Sequence, residues 1–318
     1  MANLTLLSTY VIRLREKQKL EPLFLSKFNS AGDDFLTLFN NFLDYRIGNH
    51  YKGGKDKEGR KKSLYCKPQS AIDVDDRTIH GFLHSGLSGE KGDVVDDNTG
   101  DDLYTMEENH AKILPTYYFL HVPLNRKEAY LILQKKSNYG IKNLFEDAFQ
   151  DYFQKMGLPL MLEVNNFLVS LVFEKMLAVG RVYEMSFIKN QIEENIEDMY
   201  DNGNQNKRIP GKTITTITTK YGFPVKGLLS RLYHGEKKGG MVEIPELNQR
   251  FDEVDFEMDY NGSKKTFHMK NVGRTTPDFN VTEHIEYDNG VPTYDSLLPQ
   301  CNILLNDMKE YHEAKISR

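Results

Sequence analysis

Residues 113–153 read "ILPTYYFLHVPLNRKEAYLILQKKSNYGIKNLFEDAFQDYF", and the punctuation of that stretch decides the fold. Tyr117–Val122 is an aromatic and aliphatic run stopped by Pro123, and Ala129–Gln134 is a second such run. The polar residues Pro123–Glu128 between them read as a loop, so the two runs are expected as neighbouring strands. Tyr139–Gly140 then breaks the extended pattern. Beyond it Ile141, Leu144, Phe145, Ala148, Phe149, Tyr152 and Phe153 recur at three- and four-residue steps, the stripe of a helix with one buried face. Such a stripe needs an apolar surface to cover, and the two preceding strands are the nearest. The stretch places the core and carries no chemistry of its own.

Toward the N-terminus, Thr5–Arg15 alternates as an opening strand, and Pro22 closes the connection after it. Phe35, Leu38, Phe39, Phe42 and Leu43 form a second helical stripe behind the capping candidates Asp33 and Asp34, and Gly48 ends it. Two polar stretches follow. Residues 48–70 read as a mobile basic loop, with Lys52, Lys55, Lys57, Arg60, Lys61, Lys62 and Lys67 against Asp56 and Glu58. Residues 86–108 are the electrostatic opposite, with Glu90, Asp93, Asp96, Asp97, Asp101, Asp102, Glu107 and Glu108 against Lys91. Both read first as solvated surface; the acidic stretch could also mask a basic site until nucleic acid displaces it.

Toward the C-terminus, Gly157–Pro159 marks an expected boundary, Arg181–Ile188 a strand, and Ile192, Ile196, Met199 and Tyr200 a short amphipathic helix. Phe251–Gly273 reads as a hairpin about Asn261–Gly262, and Asn289–Gly290 marks another turn. Leu297, Leu298, Cys301, Leu304, Leu305, Met308 and Tyr311 give a last amphipathic helix, with Pro299 tolerated only in its first turn. The expected class is α+β: a mixed sheet packed by amphipathic helices, with a second α+β part carrying β-hairpins. The expected domains are residues 1–158, holding the two charged loops, and 159–318, holding a basic segment at 207–238 and the C-terminal helix.

The chain has 318 residues, 39% hydrophobic and 27% charged, which is the balance of a globular protein with a real core. No apolar run approaches the ~18 residues of a membrane span. The start "MANLTLLSTYVIRLR" lacks the features of an export signal, so a cytoplasmic location is expected. Cys66 and Cys301 are the only cysteines, which excludes a disulfide framework and a cysteine-built zinc site.

Motifs with chemistry are each incomplete. "NKRIPGKT" (Asn206–Thr213) ends like a phosphate loop but has Asn206 where the turn needs glycine. His80 and His84 in "HGFLH" have metal-compatible spacing only on a helix, which Gly81 disfavours. A metal nuclease would use an acid followed by Glu-x-Lys across a hairpin; here Asp255 or Asp259 is followed by His268, Met269 and Lys270, with histidine in place of the second acid. No catalytic residue, metal or cofactor is therefore assigned. The strongest signal is the segment holding Lys207, Arg208, Lys212, Lys220, Lys226, Arg231, Lys237 and Lys238 against Glu236 alone, a local charge of +7 in a chain of −5. Clustered bases beside the hydroxyls of "TITTITT" suit the phosphate backbone of DNA. The basic loop at 48–70 is expected to contribute less, because ordering a mobile glycine-rich loop costs entropy.

The segment "LAVGRVYEMSFI" (Leu177–Ile188), the hairpin "FDEVDFEMDYNGSKKTFHMKNVG" and the closing "FNVTEHIEYDNGVPTYDSLL" stand in an order that resembles the RexA family of phage-exclusion DNA-binding proteins and its relatives in antiphage defence. The resemblance spans about residues 115–318. It implies a cytoplasmic, non-enzymatic, homodimeric sensor or effector that binds DNA with little sequence preference. It also implies a membrane-protein partner, encoded nearby, that dissipates ion gradients. It carries over no individual residue, so the eight bases above rest on charge clustering. A metal-dependent nuclease of a defence system and a protein-binding adaptor are the alternatives.

Overall fold

The computed structural model describes residues 4–55, 59–68, 71–73, 76–137, 139–167, 173, 177–178, 180–190, 211–223, 227, 229, 242–244, 249–260, 263–268 and 278–316. The protein is mixed α+β, and its chain forms two compact units: residues 1–167 with 278–312, and 168–277 with 313–318.

The first unit opens with β1 (Thr5–Glu16), α1 (Phe35–Gly48), β2 (Tyr51–Lys55), β3 (Lys61–Cys66), β4 (Ala71–Asp73) and β5 (Thr78–Ser88). It continues with β6 (Gly92–Val95), β7 (Asp102–Met106), β8 (Ala111–His121), β9 (Ala129–Lys136), α2 (Lys142–Lys155) and β10 (Leu160–Asn166). Seven strands run in the order β10-β1-β9-β8-β5-β3-β2, all antiparallel to their neighbours. The two runs that opened the reading pair as expected, with Tyr118 opposite Leu133 and Leu120 opposite Leu131.

Both helical stripes lie on one face of this sheet. Ile12, Leu14, Tyr118, Leu120, Leu131 and Leu133 supply the sheet side, and Phe35, Phe39, Phe42, Phe145 and Phe149 the helix side. The Phe42 and Phe149 rings stack with centroids 4.2 Å apart. Asp34 caps α1 by accepting from the Leu36 amide at 2.8 Å, and its carboxylate also pairs with Arg77 at 2.9 Å. Arg46, with 0% exposure, donates to the Ala148 carbonyl and to Asp151 at 2.7 Å, and lies against the Phe42, Tyr45 and Tyr51 rings. That one side chain ties the end of α1 to α2 and to the start of β2.

Three expectations change here. Residues 48–70 are not a loop: they hold β2 and β3, and β3 pairs with β5 from Lys61↔Ser88 to Cys66↔Leu83. The acidic stretch likewise holds the end of β5 and the β6–β7 hairpin. The physical reason is position. Lysines are common on a strand at a sheet edge such as β2, where charge blocks pairing with another chain. Gly53 also makes a close approach, since a Cβ there would stand 3.0 Å from Leu144 Cδ1. Lastly, the boundary expected at 158/159 is a turn. Gly157 adopts φ 66°, the Lys17 amide bonds the Pro159 carbonyl at 2.8 Å, and β10 pairs with β1 in the first unit.

The second unit contains β11 (Arg181–Lys189), β12 (Thr213–Phe223), β13 (Val242–Ile244), β14 (Gln249–Phe251), β15 (Glu253–Tyr260) and β16 (Ser263–His268). Four of them form a sheet in the order β12-β11-β15-β16. Val254, Phe256 and Met258 alternate inward along β15, and Phe256 stacks on Phe267 at 4.7 Å with Phe173 against both. Tyr260 pairs with Ser263, which puts two residues at the turn of the expected hairpin. The helix expected across 192–200 lies outside the described residues.

The chain then returns to the first unit. β17 (Asp278–Asn280) pairs with Leu6–Ser8 of β1, completing a nine-stranded sheet in which β4 pairs with β5. The expected turn at Asn289–Gly290 joins β18 (Tyr287–Asp288) to β19 (Val291–Pro292), with φ 48° and 76° as a mirror-image turn requires. α3 (Tyr294–Ile316) then covers the second face of the sheet. Tyr294 stacks on His80 at 4.9 Å and meets Tyr117 edge-on at 5.8 Å, and Leu297, Cys301, Leu304, Leu305 and Met308 are buried. The C-terminal helix, expected in a second domain, thus lies in the first unit through His312, and its apolar stripe is used within the chain.

Candidate polyanion-binding cleft

Of the eight bases singled out by charge, Lys212 and Lys220 are described, and both are exposed. Lys220 sits on β12, whose one neighbour among the described residues is β11. Beside it Tyr221 is 90% exposed, and Thr216 shares a hydrogen bond with Ser186 at 2.9 Å. Lys207, Arg208, Lys226, Arg231, Lys237 and Lys238 lie outside the described residues. Asp255 stands directly opposite His268 and Asp259 opposite Lys264, while Lys270 is not described. His80 and His84 lie on β5, a strand and not a helix. His80 is held by Tyr117 at 3.1 Å and Tyr294 at 3.3 Å, one phenol on each ring nitrogen. Burial, reinforced by Lys67, lowers the pKa of His84 and favours its neutral form.

A cleft of about 920 Å³ opens between the two charged hairpins of the first unit. Its floor is the end of β5 and the start of β8, with Ser88, Ala111 and Ile113. One lip is the β2–β3 hairpin with Lys52, Lys55, Lys61 and Lys62; the other is β7 and its following turn, with Tyr104, Met106, Glu108 and His110. All four lysines are exposed, and none has an ion-pair partner among the described residues. Neighbouring charges are spent elsewhere: Arg60 pairs with Glu90 at 2.9 Å and Lys91 with Glu107 at 3.3 Å.

Aromatic rings line the same cleft. His50 stacks on Tyr65 at 4.3 Å, and Tyr65 stacks on His84 at 5.2 Å, a ladder across the sheet edge. Tyr104 is 51% exposed and rests against His110, whose Nδ1 accepts from the Glu107 amide at 3.0 Å. The Ser63 hydroxyl is buried beneath the lining, with no hydrogen-bond partner among the described residues. Such a lining can bind oxyanions through ammonium and hydroxyl groups while offering aromatic faces. The signal for it was present in the sequence as the alternation Leu64, Tyr65, Cys66 at the end of a lysine run. The lysines concealed it by reading as loop.

The chain matches no protein-family model, no curated protein and no solved structure. No helix among the described residues is long and apolar enough to cross a membrane.

Proposed function

We propose that the protein is a non-enzymatic nucleic-acid-binding component of an antiphage defence system, acting in the cytoplasm by contact with the phosphate backbone. The observation that carries this reading is the cleft itself: four lysines on a paired hairpin, without ion-pair partners among the described residues, facing one glutamate in the lining. The resemblance to phage-exclusion proteins supplies the defence context, the homodimer and the nearby membrane partner. The entropic argument that ranked residues 48–70 below 207–238 falls away, because β2 and β3 are already paired into the sheet. Lys212, Lys220 and the other bases of 207–238 remain a second contact surface in this reading.

Fluorescence anisotropy of labelled DNA across a salt series tests the proposal. Four phosphate contacts give a slope of log K against log salt of about −2.8 on single strands and about −3.6 on duplex. Replacing Lys52, Lys55, Lys61 and Lys62 by Glu is expected to weaken binding and flatten that slope more than Lys212→Glu with Lys220→Glu. Binding by the quadruple variant equal to wild type removes the cleft from the reading. Cleavage of DNA in Mg²⁺ would replace it with the nuclease reading.

A further inference from the structure

We infer that the cleft takes single-stranded nucleic acid, with phosphates on the β2–β3 lip and bases on the β7 lip; this rests on the phosphate-binding reading above. The two lips have opposite character. Lys52, Lys55, Lys61 and Lys62 line one side, while Tyr104 and Glu108 line the other, on a hairpin that also carries Asp93 and Asp102. A duplex carries phosphates along both of its edges, so one laid across the cleft brings one strand to the lysines and the other to the carboxylates. A single strand is two-sided in the way the cleft is: anionic along one edge, with bases along the other. Carboxylates accept hydrogen bonds from base amino groups, and an exposed tyrosine ring stacks on a base.

The dimensions agree. About 920 Å³ is at the upper end of the roughly 300–1,000 Å³ typical of pockets that enclose a ligand. That is room for a few unpaired nucleotides within the cleft. Tyr104 is half exposed and its ring is oriented by His110, so one face is presented without an ordering step. The acidic hairpin is then the wall that meets the bases.

The test compares one labelled oligonucleotide as single strand and as duplex, with full-length protein at one salt concentration. Wild type is expected to bind the single strand more tightly. Tyr104→Ala is expected to weaken single-strand binding about 5- to 150-fold, the range for loss of one base–aromatic stack, with the salt slope unchanged. Tyr104→Phe keeps the ring but loses the phenol's bond to His110, and is expected to bind between Tyr104→Ala and wild type. Because Tyr104 is exposed, circular dichroism of these variants should match wild type. Equal or tighter binding of the duplex overturns the inference, as does a Tyr104→Ala variant with wild-type affinity. If that happens while the quadruple lysine variant still loses binding, the phosphate reading stands and the single-strand assignment falls. If wild type binds neither form, both fall.

Discussion

One face of the nine-stranded sheet meets α1 and α2 through phenylalanine: Phe35, Phe39, Phe42, Phe145, Phe149 and Phe153 are all buried there. The other face, under α3, buries Thr9, His80, His121 and Gln134 among its aromatic and aliphatic residues. Both sides exclude water, and their chemistry differs. The first side is held by area and ring packing, which do not change with pH. The second depends on polar groups finding partners, as when Gln134 accepts from the Tyr117 amide at 2.9 Å and His80 bridges two phenols. Equal burial therefore gives one face strength and the other a dependence on protonation.

The largest expected effect tests the first face. Phe149 is fully buried, 4.2 Å from Phe42 and 5.0 Å from Phe153. Phe149→Ala should cost about 3–5 kcal/mol, read as a lower urea midpoint at unchanged slope. A loss under about 1 kcal/mol would mean the phenylalanine layer is not the stabilising side.

The second face is tested by acid. Burial, reinforced by Lys309, pushes the His121 pKa from its ordinary 6.5 down to about 4, against the pull of a hydrogen bond to the Asp76 backbone. Between those values the unfolded chain takes up a proton and the folded one does not. Stability is therefore full above about pH 6.5 and falls as pH drops toward 4, by on the order of 3 kcal/mol. His121→Phe should flatten this part of the pH profile, measured as urea midpoints at several pH values. An unchanged profile would detach the polar face from the pH dependence.

The smallest effect concerns how α1 is seated on the first face. Asp34→Ala removes the cap on Leu36 and the Arg77 pair, and should cost about 1 kcal/mol. Asp34→Asn keeps an acceptor and should recover most of that in thermal melts. Equal losses in the two variants would assign the effect to charge and not to capping.

The parts legible in the sequence were those whose period was clean. β1, β9, α1 and α2 carry apolar residues at strand or helix spacing and formed where expected, while β8, expected over Tyr117–Val122, begins six residues earlier at Ala111. The hairpins β2–β3 and β6–β7 were not legible, because β2, β6 and β7 each pair with one neighbour and tolerate charge in place of alternation. β3, though paired on both sides, opens on Lys61 and Lys62 before its apolar residues. The candidate cleft lies between those two hairpins, so the least readable segments build it. The stripe of α3 was readable, but a stripe states that a face is buried and not what buries it. His80, which receives Tyr294, is more than two hundred residues away in sequence.

The return of β17 and α3 to the first unit also sets a schedule for synthesis. The sheet pauses at β10 and resumes at Asp278, with the second unit encoded between. At roughly 5–20 residues per second, translating that interval takes on the order of 5–20 s. Throughout it the nascent first sheet has its phenylalanine face closed by α1 and α2, while Tyr117, Phe119 and Ile132 await a helix not yet made. Chaperone capture during translation should therefore concentrate on that strand surface and end when α3 leaves the ribosome.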